Sequence, residues 1–558
     1  MKSIKKSNHS FWLIGSFVLI VLIFLLILSR TPEVITKDTI GYEEVLTLIQ
    51  ALGEEDKSQY EVLLTKYTDE EGTSQTTYLM LKETLDTLDS TGNTSAKILD
   101  NVSINSVIDR DEFFNLYEQL LDDFQKREEI TLEEISVLGI SKEQSESGES
   151  LLITTNETGS CKETLFLEYA GFVTKTYVKR VNQEVTFLVV KEASDEEINL
   201  PYMYVQGQDT EGIHFLVKNK EVVLPSKKKT EISNDTVASL VICQGQITKI
   251  KSYDEKMNDK VLSINDTYVT LENYGVYEFC DNMKVYKVYE GLSEGSIQDV
   301  ALGYEFVDFV LEDGKICACL IVASEGMEYI RVLIKTTDFL SNYHNEVTMS
   351  CDSSFKVYEN GEDYTEYAAY EEVTFSNENL EDGKMVKIVP DVLSGKVILS
   401  SIKRNQGTPS YSGIMELHQK EEGIVVINEV LLEEYLYTVV PSEMPSYYQE
   451  QALMAQAICA RTYAYTKMKN AGLKELGAHL DDSTSFQVYN NINEQVSTTS
   501  AVRETSGIIL TKDNVPIETL YYSTSFGIGS TGLRLNHQET EKIDLSTNDA
   551  FDKYIENT

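Results

Sequence analysis

Apolar positions along the chain change rhythm twice. Between residues 43 and 138 they recur at helical spacing. Val45, Leu48, Ile49 and Leu52 share one face, Tyr78, Leu81, Leu85 and Leu88 another, and Phe113, Leu116, Tyr117, Leu120, Leu121 and Phe124 form a longer stripe. These faces predict the core of a small helical bundle. From about 150 to 325 the period drops to two. "EVTFLVV", "GIHFLV", "VASLVICQGQITKIKSY", "TYVTLENYGVYEF", "MKVYKVY" and "EFVDFVLEDGKICACLIVA" alternate apolar and polar residues between Gly, Asn and Asp breaks, which predicts an all-β region of hairpins. "SLVICQGQITKI" and "DFVLEDGKICACLI" share a strand-turn-strand cadence. Past Tyr329 the pattern mixes: "EYIRVLI", "NEVTMSC", "GKMVKIVP", "GKVILSSI" and "EGIVVINEV" read as strands, and a helical stretch follows Leu431.

The N-terminus stands apart from all three regions. "MKSIKKSNHS" carries Lys2, Lys5 and Lys6, and Phe11–Ser29 then runs without a charge. At about 1.5 Å per residue that run spans a hydrocarbon core of about 30 Å. A cleavable signal peptide would have a shorter apolar core and a small-x-small site, which "LSRTPEV" lacks. The expectation is an uncleaved anchor over residues 1–30, with the lysines cytoplasmic, a linker over 31–42, and the rest of the chain outside.

Composition narrows the function classes. Against 48 basic residues stand 91 acidic ones, a net charge of −43. Nucleic acid is therefore not an expected partner, since nothing offsets phosphate repulsion. The seven cysteines are odd in number and scattered, unlike a disulfide framework or zinc ribbon, and Cys317 and Cys319 lie on one face of an apolar run as buried thiols. The six histidines form no His-x-x-x-His pair. No metal or other cofactor is expected.

The chemistry concentrates in "VVPSEMPSYYQEQALMAQAICARTYAY", Val439–Tyr465. Pro441 and Pro445 stiffen a turn holding one acid, Glu443. Ser446 and Gln449 form an S-x-x-Q capping box that predicts a helix start there, with Ala452, Ala455, Gln456, Cys459, Ala460 and Tyr463 on one face. A helix N-terminus lowers a carboxyl pKa; a general acid needs the reverse, supplied by burial against walls such as Met444, Tyr447 and Tyr448. Residue types alone leave Glu443 open between a solvated loop carboxylate and an active-site acid. Arg461, about 22 Å further along a continuous helix, reads as structural.

The segment "VLLEEYLYTVVPSEMPSYYQEQALMAQAICARTYAY" resembles the signature of the stage II sporulation protein D family (the SpoIID/LytB domain), with its E-M-P turn and its A-L-x-A-Q-A-x-x-A-R-T-Y helix. "HLDDSTSFQVY" resembles the family's D-x-T-x-x-Q-x-Y segment, and "AVRETSGIILTKDNVPIETLYYSTSFG" its helix, turn glycine and hairpin with a Ser-rich strand. The resemblance runs from about 329 to 531. It implies a cell-wall lytic transglycosylase that cleaves peptidoglycan glycan strands to 1,6-anhydromuramoyl ends, with Glu443 as its single catalytic acid. A lone carboxylate suffices because the sugar's own 6-hydroxyl, not water, closes the reaction, unlike paired-carboxylate hydrolysis. Gln487 and Tyr489, read as neighbours on one strand face, and Ser523 and Ser525 on another, stand between sugar-groove lining and ordinary strand packing. Where some members bind zinc, this chain reads Phe526-Gly527-Ile528-Gly529, which reinforces the expectation of no metal. The chain also ends in "FDKYIENT" without the family's G-H-G-x-G-M-S-Q-Y-G-like segment, so the domain is expected to be C-terminally incomplete.

The whole reads as an α+β multidomain chain. An N-terminal transmembrane helix, a small helical bundle and an all-β region precede a mixed α/β SpoIID-like domain over 329–558, built on a twisted sheet with a helix after the E-M-P turn. Expected partners are glycan strands, the membrane through Phe11–Ser29, and wall hydrolases. The alternative is a non-catalytic wall-binding protein or amidase enhancer.

Overall fold

A computed structural model describes residues 38–521 except 54–56, 68–74, 90–91, 99–101, 142–149, 228–231, 290, 325, 360–362, 379 and 381–384, together with 528–529 and 543–544. The expected anchor, Phe11–Ser29, lies outside the described residues, as do Ser523 and Ser525. Among the described residues no helix is long and apolar enough to cross a membrane. The chain forms two compact units, Met1–Asp254 and Glu255–Thr558, and is mixed α and β with β predominating.

The first unit opens with the helices Tyr42–Leu52, Lys57–Tyr67, Tyr78–Leu88, Asn93–Ile98 and Arg110–Asp123. Their predicted stripes are the core: Val45, Leu48, Ile49, Leu52, Leu81, Leu85, Phe113, Tyr117, Leu120 and Leu121 are all buried together. Asp109 caps the last of them by accepting from the Asp111 and Glu112 amides at 3.0 and 3.1 Å. The helical run ends earlier than the predicted 138. Gln125 takes a left-handed backbone (φ 56°), and Ile130–Ser141 is a strand. That segment, "ITLEEISVLGIS", carries β-branched residues that pack onto a pleated surface more readily than onto a helix. It is the first strand of a closed five-stranded barrel that ends at Ser194, and a five-stranded sheet over Ile198–Tyr253 follows. The two matching cadences are both hairpins. Gln244-Gly245 and Asp313-Gly314 supply two consecutive positive φ values each (51° and 73°, 50° and 81°), as a two-residue type I′ turn requires.

The region predicted as one all-β stretch from 150 to 325 therefore divides between the two units. In the second unit a seven-stranded sheet extends from Lys256 to Ile321. The site-bearing sheet follows, with strands β1 (Tyr329–Leu333), β2 (Phe355–Glu359), β3 (Tyr364–Tyr367), β4 (Met385–Pro390), β5 (Ile414–Lys420), β6 (Gly423–Leu431) and β7 (Leu480–Asp481) in the order β3-β2-β4-β5-β6-β1-β7. A four-stranded sheet with strands between Glu346 and Tyr411 adjoins it.

The helices are α1 (Leu432–Glu443), α2 (Glu450–Lys469) and α3 (Val496–Glu504). One face of the β1–β7 sheet is apolar and shares a core with them. Ile330, Val332, Val357, Val386, Ile388, Met415, Leu417 and Val430 meet Leu436, Val439, Val440, Ala457, Ala460, Ala464 and Val502. The opposite face carries a buried charge ladder: Arg331 grips Glu416 (Nη2–Oε2 2.6 Å) and Glu429, and Lys260 reaches Glu429 at 2.7 Å. These pairs satisfy one another's charge in a site largely closed to water, where an unpartnered charge would be costly.

Candidate active site

Strand β6 runs directly into α1, so the sheet fixes where that helix begins. Pro441 sits inside the last turn of α1 rather than in a loop. Ser442 Oγ donates to the Thr438 carbonyl (2.6 Å), and the Met444 amide closes the helix on Val440 (2.9 Å). Met444 is extended, as a residue before proline tends to be, and that ends the helix at Glu443. A turn over Pro445–Tyr448 intervenes before α2, whose first residue is Glu450. The predicted capping box at Ser446 is thus not the helix start: Gln449 is the cap residue and makes no side-chain cap bond.

This placement reverses the electrostatic tension read from the sequence. Glu443 closes a helix, and a helix C-terminus disfavours rather than stabilises a carboxylate. The side chain is half-buried, and burial raises its pKa, opposed by the Val488 amide, which donates to Oε1 at 2.7 Å. Among the described residues no second carboxylate contributes to that shift. The walls also differ from those expected. Tyr447 is 84% exposed and Tyr448 is exposed beside it. The aromatic groups close enough to feel the Glu443 charge are Tyr435, Tyr463 and Tyr521. Burial pushes all three phenols up, Tyr463 to about 12, and the Glu443 charge adds to each.

The stretch after β7 docks onto the end of α1. Ser442 Oγ accepts from the Asn491 and Ile492 amides at 3.2 and 3.1 Å, in the same loop that holds Val488 against Glu443. Gln406 and Asn490 tie the same stretch to the sheet side through Asn490 Oδ1 (2.7 Å) and the Ser410 carbonyl (2.6 Å). Glu443 is held by a braced loop, not by an isolated turn.

Gln487 and Tyr489 belong to that brace, and their expected places on a strand face are corrected: neither lies in a strand, and both are buried. Gln487 is fully enclosed. Its Oε1 accepts from Tyr435 Oη at 3.1 Å; its Nε2 donates to the Ala460 carbonyl at 3.2 Å and to Tyr521 Oη at 2.9 Å. Tyr489 donates to Asn428 Oδ1 at 2.8 Å, and its ring lies 4.7 Å from Tyr435 and 5.6 Å from Tyr411. Buried polar groups bonded to their neighbours in this way orient those neighbours and sit out of a ligand's reach. Arg461 is structural as expected. It is buried, grips Glu433 at 2.7 and 2.9 Å, and donates to the Val502 and Ile508 carbonyls.

Residues 420–511 match the model of a family described as Stage II sporulation protein, SpoIID. The chain carries a SpoIID domain. The match is narrower than the predicted 329–531 and covers β6, β7, α1, α2 and α3, the elements that build the Glu443 site. Similar proteins include the Stage II sporulation protein D of Bacillus subtilis (strain 168), 39% identical over 115 residues, 18% of this chain and 34% of that protein. That of Bacillus amyloliquefaciens is 37% identical over 115 residues, 18% of this chain and 33% of the relative. The Amidase enhancer of Bacillus subtilis (strain 168) is 39% identical over 89 residues, 16% of this chain and 11% of the relative. The chain spans about a third of the length of the two sporulation proteins.

Sequence reasoning missed the roles of Tyr435, Tyr463 and Ser442 within the SpoIID domain, and of Tyr521 just beyond it. Tyr435 and Tyr463 lie within the signature segment and Tyr521 in the hairpin that follows, but helical and strand spacing marks such tyrosines equally well as core. Ser442 lay between two residues that drew the attention, Pro441 and Glu443.

Proposed function

We propose that the SpoIID domain of this chain is a peptidoglycan lytic transglycosylase that acts in sporulation or cell-wall remodelling. The single observation that carries the reading is Glu443, a lone half-buried carboxyl with a raised pKa at the end of α1, held at Oε1 by the Val488 amide. A carboxyl of that kind keeps its proton nearer neutral pH, as a general acid must. In the proposed reaction Glu443 gives its proton to the oxygen bridging N-acetylmuramate to N-acetylglucosamine, and the C1–O bond breaks. The 6-hydroxyl of the same muramoyl ring attacks C1, and its proton passes to the Glu443 carboxylate, which restores the acid. The products are a 1,6-anhydromuramoyl end and a new free 4-hydroxyl, and no water is consumed. The braced 487–492 loop and the Tyr435–Gln487–Tyr521 network hold the acid in place. Phe11–Ser29 would anchor the chain in the cell membrane with the SpoIID domain outside the cytoplasm.

The likeness to the amidase enhancer favours one second reading, a protein that binds the wall and assists partner hydrolases without cleaving glycan itself. Incubating purified glycan strands with the full chain and analysing the ends by mass spectrometry separates the two. Anhydromuramoyl ends that vanish with Glu443→Gln support the enzyme; none from the unaltered chain supports the enhancer.

A further inference from the structure

The polar face of the β1–β7 sheet carries a concavity of about 770 Å³, well apart from Glu443. Glu434 on its rim and Glu443 lie on the same helix, nine residues apart (443 − 434). That is about 13 Å along the axis and half a turn around it, so the two carboxyls face opposite sides of α1.

The walls join three tyrosines to aliphatic side chains such as Met385, Val389 and Leu393, and are open to solvent. Tyr358 on β2 and Tyr364 on β3 are cross-strand partners with ring centroids 5.3 Å apart at 48°. Tyr329 on β1, at 45% exposure, and its cross-strand partner Leu431 line the opposite side. Such rings gathered in a concave site, rather than scattered singly, mark a contact surface.

The charges beneath these rings are matched. Lys387 pairs with Glu272 at 2.7 Å, Lys260 with Glu429 at 2.7 Å, and Arg331 with Glu416 and Glu429, so three cations meet three carboxylates, while Lys356 Nζ lies over one face of the Tyr364 ring, 4.5 Å from its centre. Glu434 is a further lining acid that offsets Lys356, and burial, with the Glu494 charge adding to it, holds its carboxyl up. An anion is therefore disfavoured. A wholly apolar ligand would strip water from the Lys387–Glu272 pair and Asn273 with nothing in return. A pyranose meets both demands, with a C–H face for the tyrosine rings and a rim of hydroxyls for the paired charges. The volume falls within the range of small-ligand sites, about 300–1,000 Å³.

We propose that this pocket binds a neutral saccharide of one or two pyranose rings, stacked on Tyr358 and Tyr364 and bounded by Tyr329. The proposal deepens the glycan reading by adding a second contact, but it does not need Glu443 to be an acid.

The test is saturation-transfer NMR on the full chain with N,N′-diacetylchitobiose, with Tyr329→Ala and the milder Tyr364→Leu, which keeps bulk but removes the ring. Both side chains are largely exposed, so the fold survives either change. Saturation of the sugar ring protons is expected in the unaltered chain and equally in Glu443→Gln, with affinity weakened about tenfold in each tyrosine variant. Absent saturation, or tyrosine variants that bind normally, would overturn the site. So would binding lost in Glu443→Gln alone, which would return the sugar to the α1 end. Displacement of the sugar by an apolar tetrapeptide would assign the pocket to peptide instead. Cleavage of glycan strands is read separately, so its failure leaves this outcome intact.

Discussion

Replacing Gln487 with leucine removes a side chain that touches three elements at once. Tyr435 Oη loses its acceptor, at 3.1 Å, and is fully enclosed, so no water replaces it. An orphaned buried hydroxyl costs about 1–3 kcal/mol. The Ala460 carbonyl keeps its helical partner and loses only a second donor, at 3.2 Å, while half-buried Tyr521 loses a donor at 2.9 Å and turns to solvent. Each of those two losses is worth about 0.5–1 kcal/mol. Leucine refills most of the volume, so little cavity cost is added. The sum is about 2–5 kcal/mol. Because the chain holds two units, a single melting curve mixes transitions, and amide hydrogen exchange of α2 and residues 487–492 is the better assay. The expected result is a drop of that size in their opening free energy, with glycan affinity unchanged wherever the domain stays folded. Unchanged exchange together with weakened glycan binding would refute the burial argument and return Gln487 to the sugar groove.

Other outcomes follow from the same geometry. Ser442→Ala strips the acceptor from the Asn491 and Ile492 amides; their exchange should quicken by the equivalent of about 1–2 kcal/mol, with glycan cleavage falling as Val488 loosens from Glu443. Arg461→Leu leaves Glu433 and two carbonyls without their cation; because Glu433 keeps some solvent, the lower end of about 3–5 kcal/mol is expected, read as lost protection in α2 and α3. Burial raises the Glu443 pKa, so the acid is protonated below that value, and cleavage should fall as pH rises through it, on a limb above the ordinary glutamate range. The same sign means the folded state holds this proton more tightly than the unfolded chain, and stability is lost as pH climbs from the unfolded to the folded value. Above that window the amides of residues 487–492 in Glu443→Gln should exchange no faster than in the unaltered chain.

The helical stripes, the hairpin turns and the strands of the second unit were legible because each depends on neighbours a few residues away. Val45, Leu48, Ile49 and Leu52 recur at helical spacing and are buried together, and Asp313-Gly314 must turn. What escaped depends on distant partners. Ser446-x-x-Gln449 has the local form of a capping box, yet Pro445 imposes a turn that delays the helix to Glu450. Glu443 could be picked from its motif, but its environment could not. Val488 and Tyr521 reach it from 45 residues and more downstream in the sequence, and only the fold turns the apparent N-terminal acid into a C-terminal one. Gln487 and Tyr489 alternate as groove residues on a strand would; burial and hydrogen bonds to distant neighbours, invisible to alternation, make them braces.

The central claim is that Glu443 transfers a proton to and from a glycan within a single-acid site. Mass spectrometry of strand ends after incubation with the full chain tests it most directly. The account predicts 1,6-anhydromuramoyl ends from the unaltered chain and none from a folded Glu443→Gln variant. Reducing ends made with solvent oxygen, or anhydro ends that persist in that variant, would contradict it.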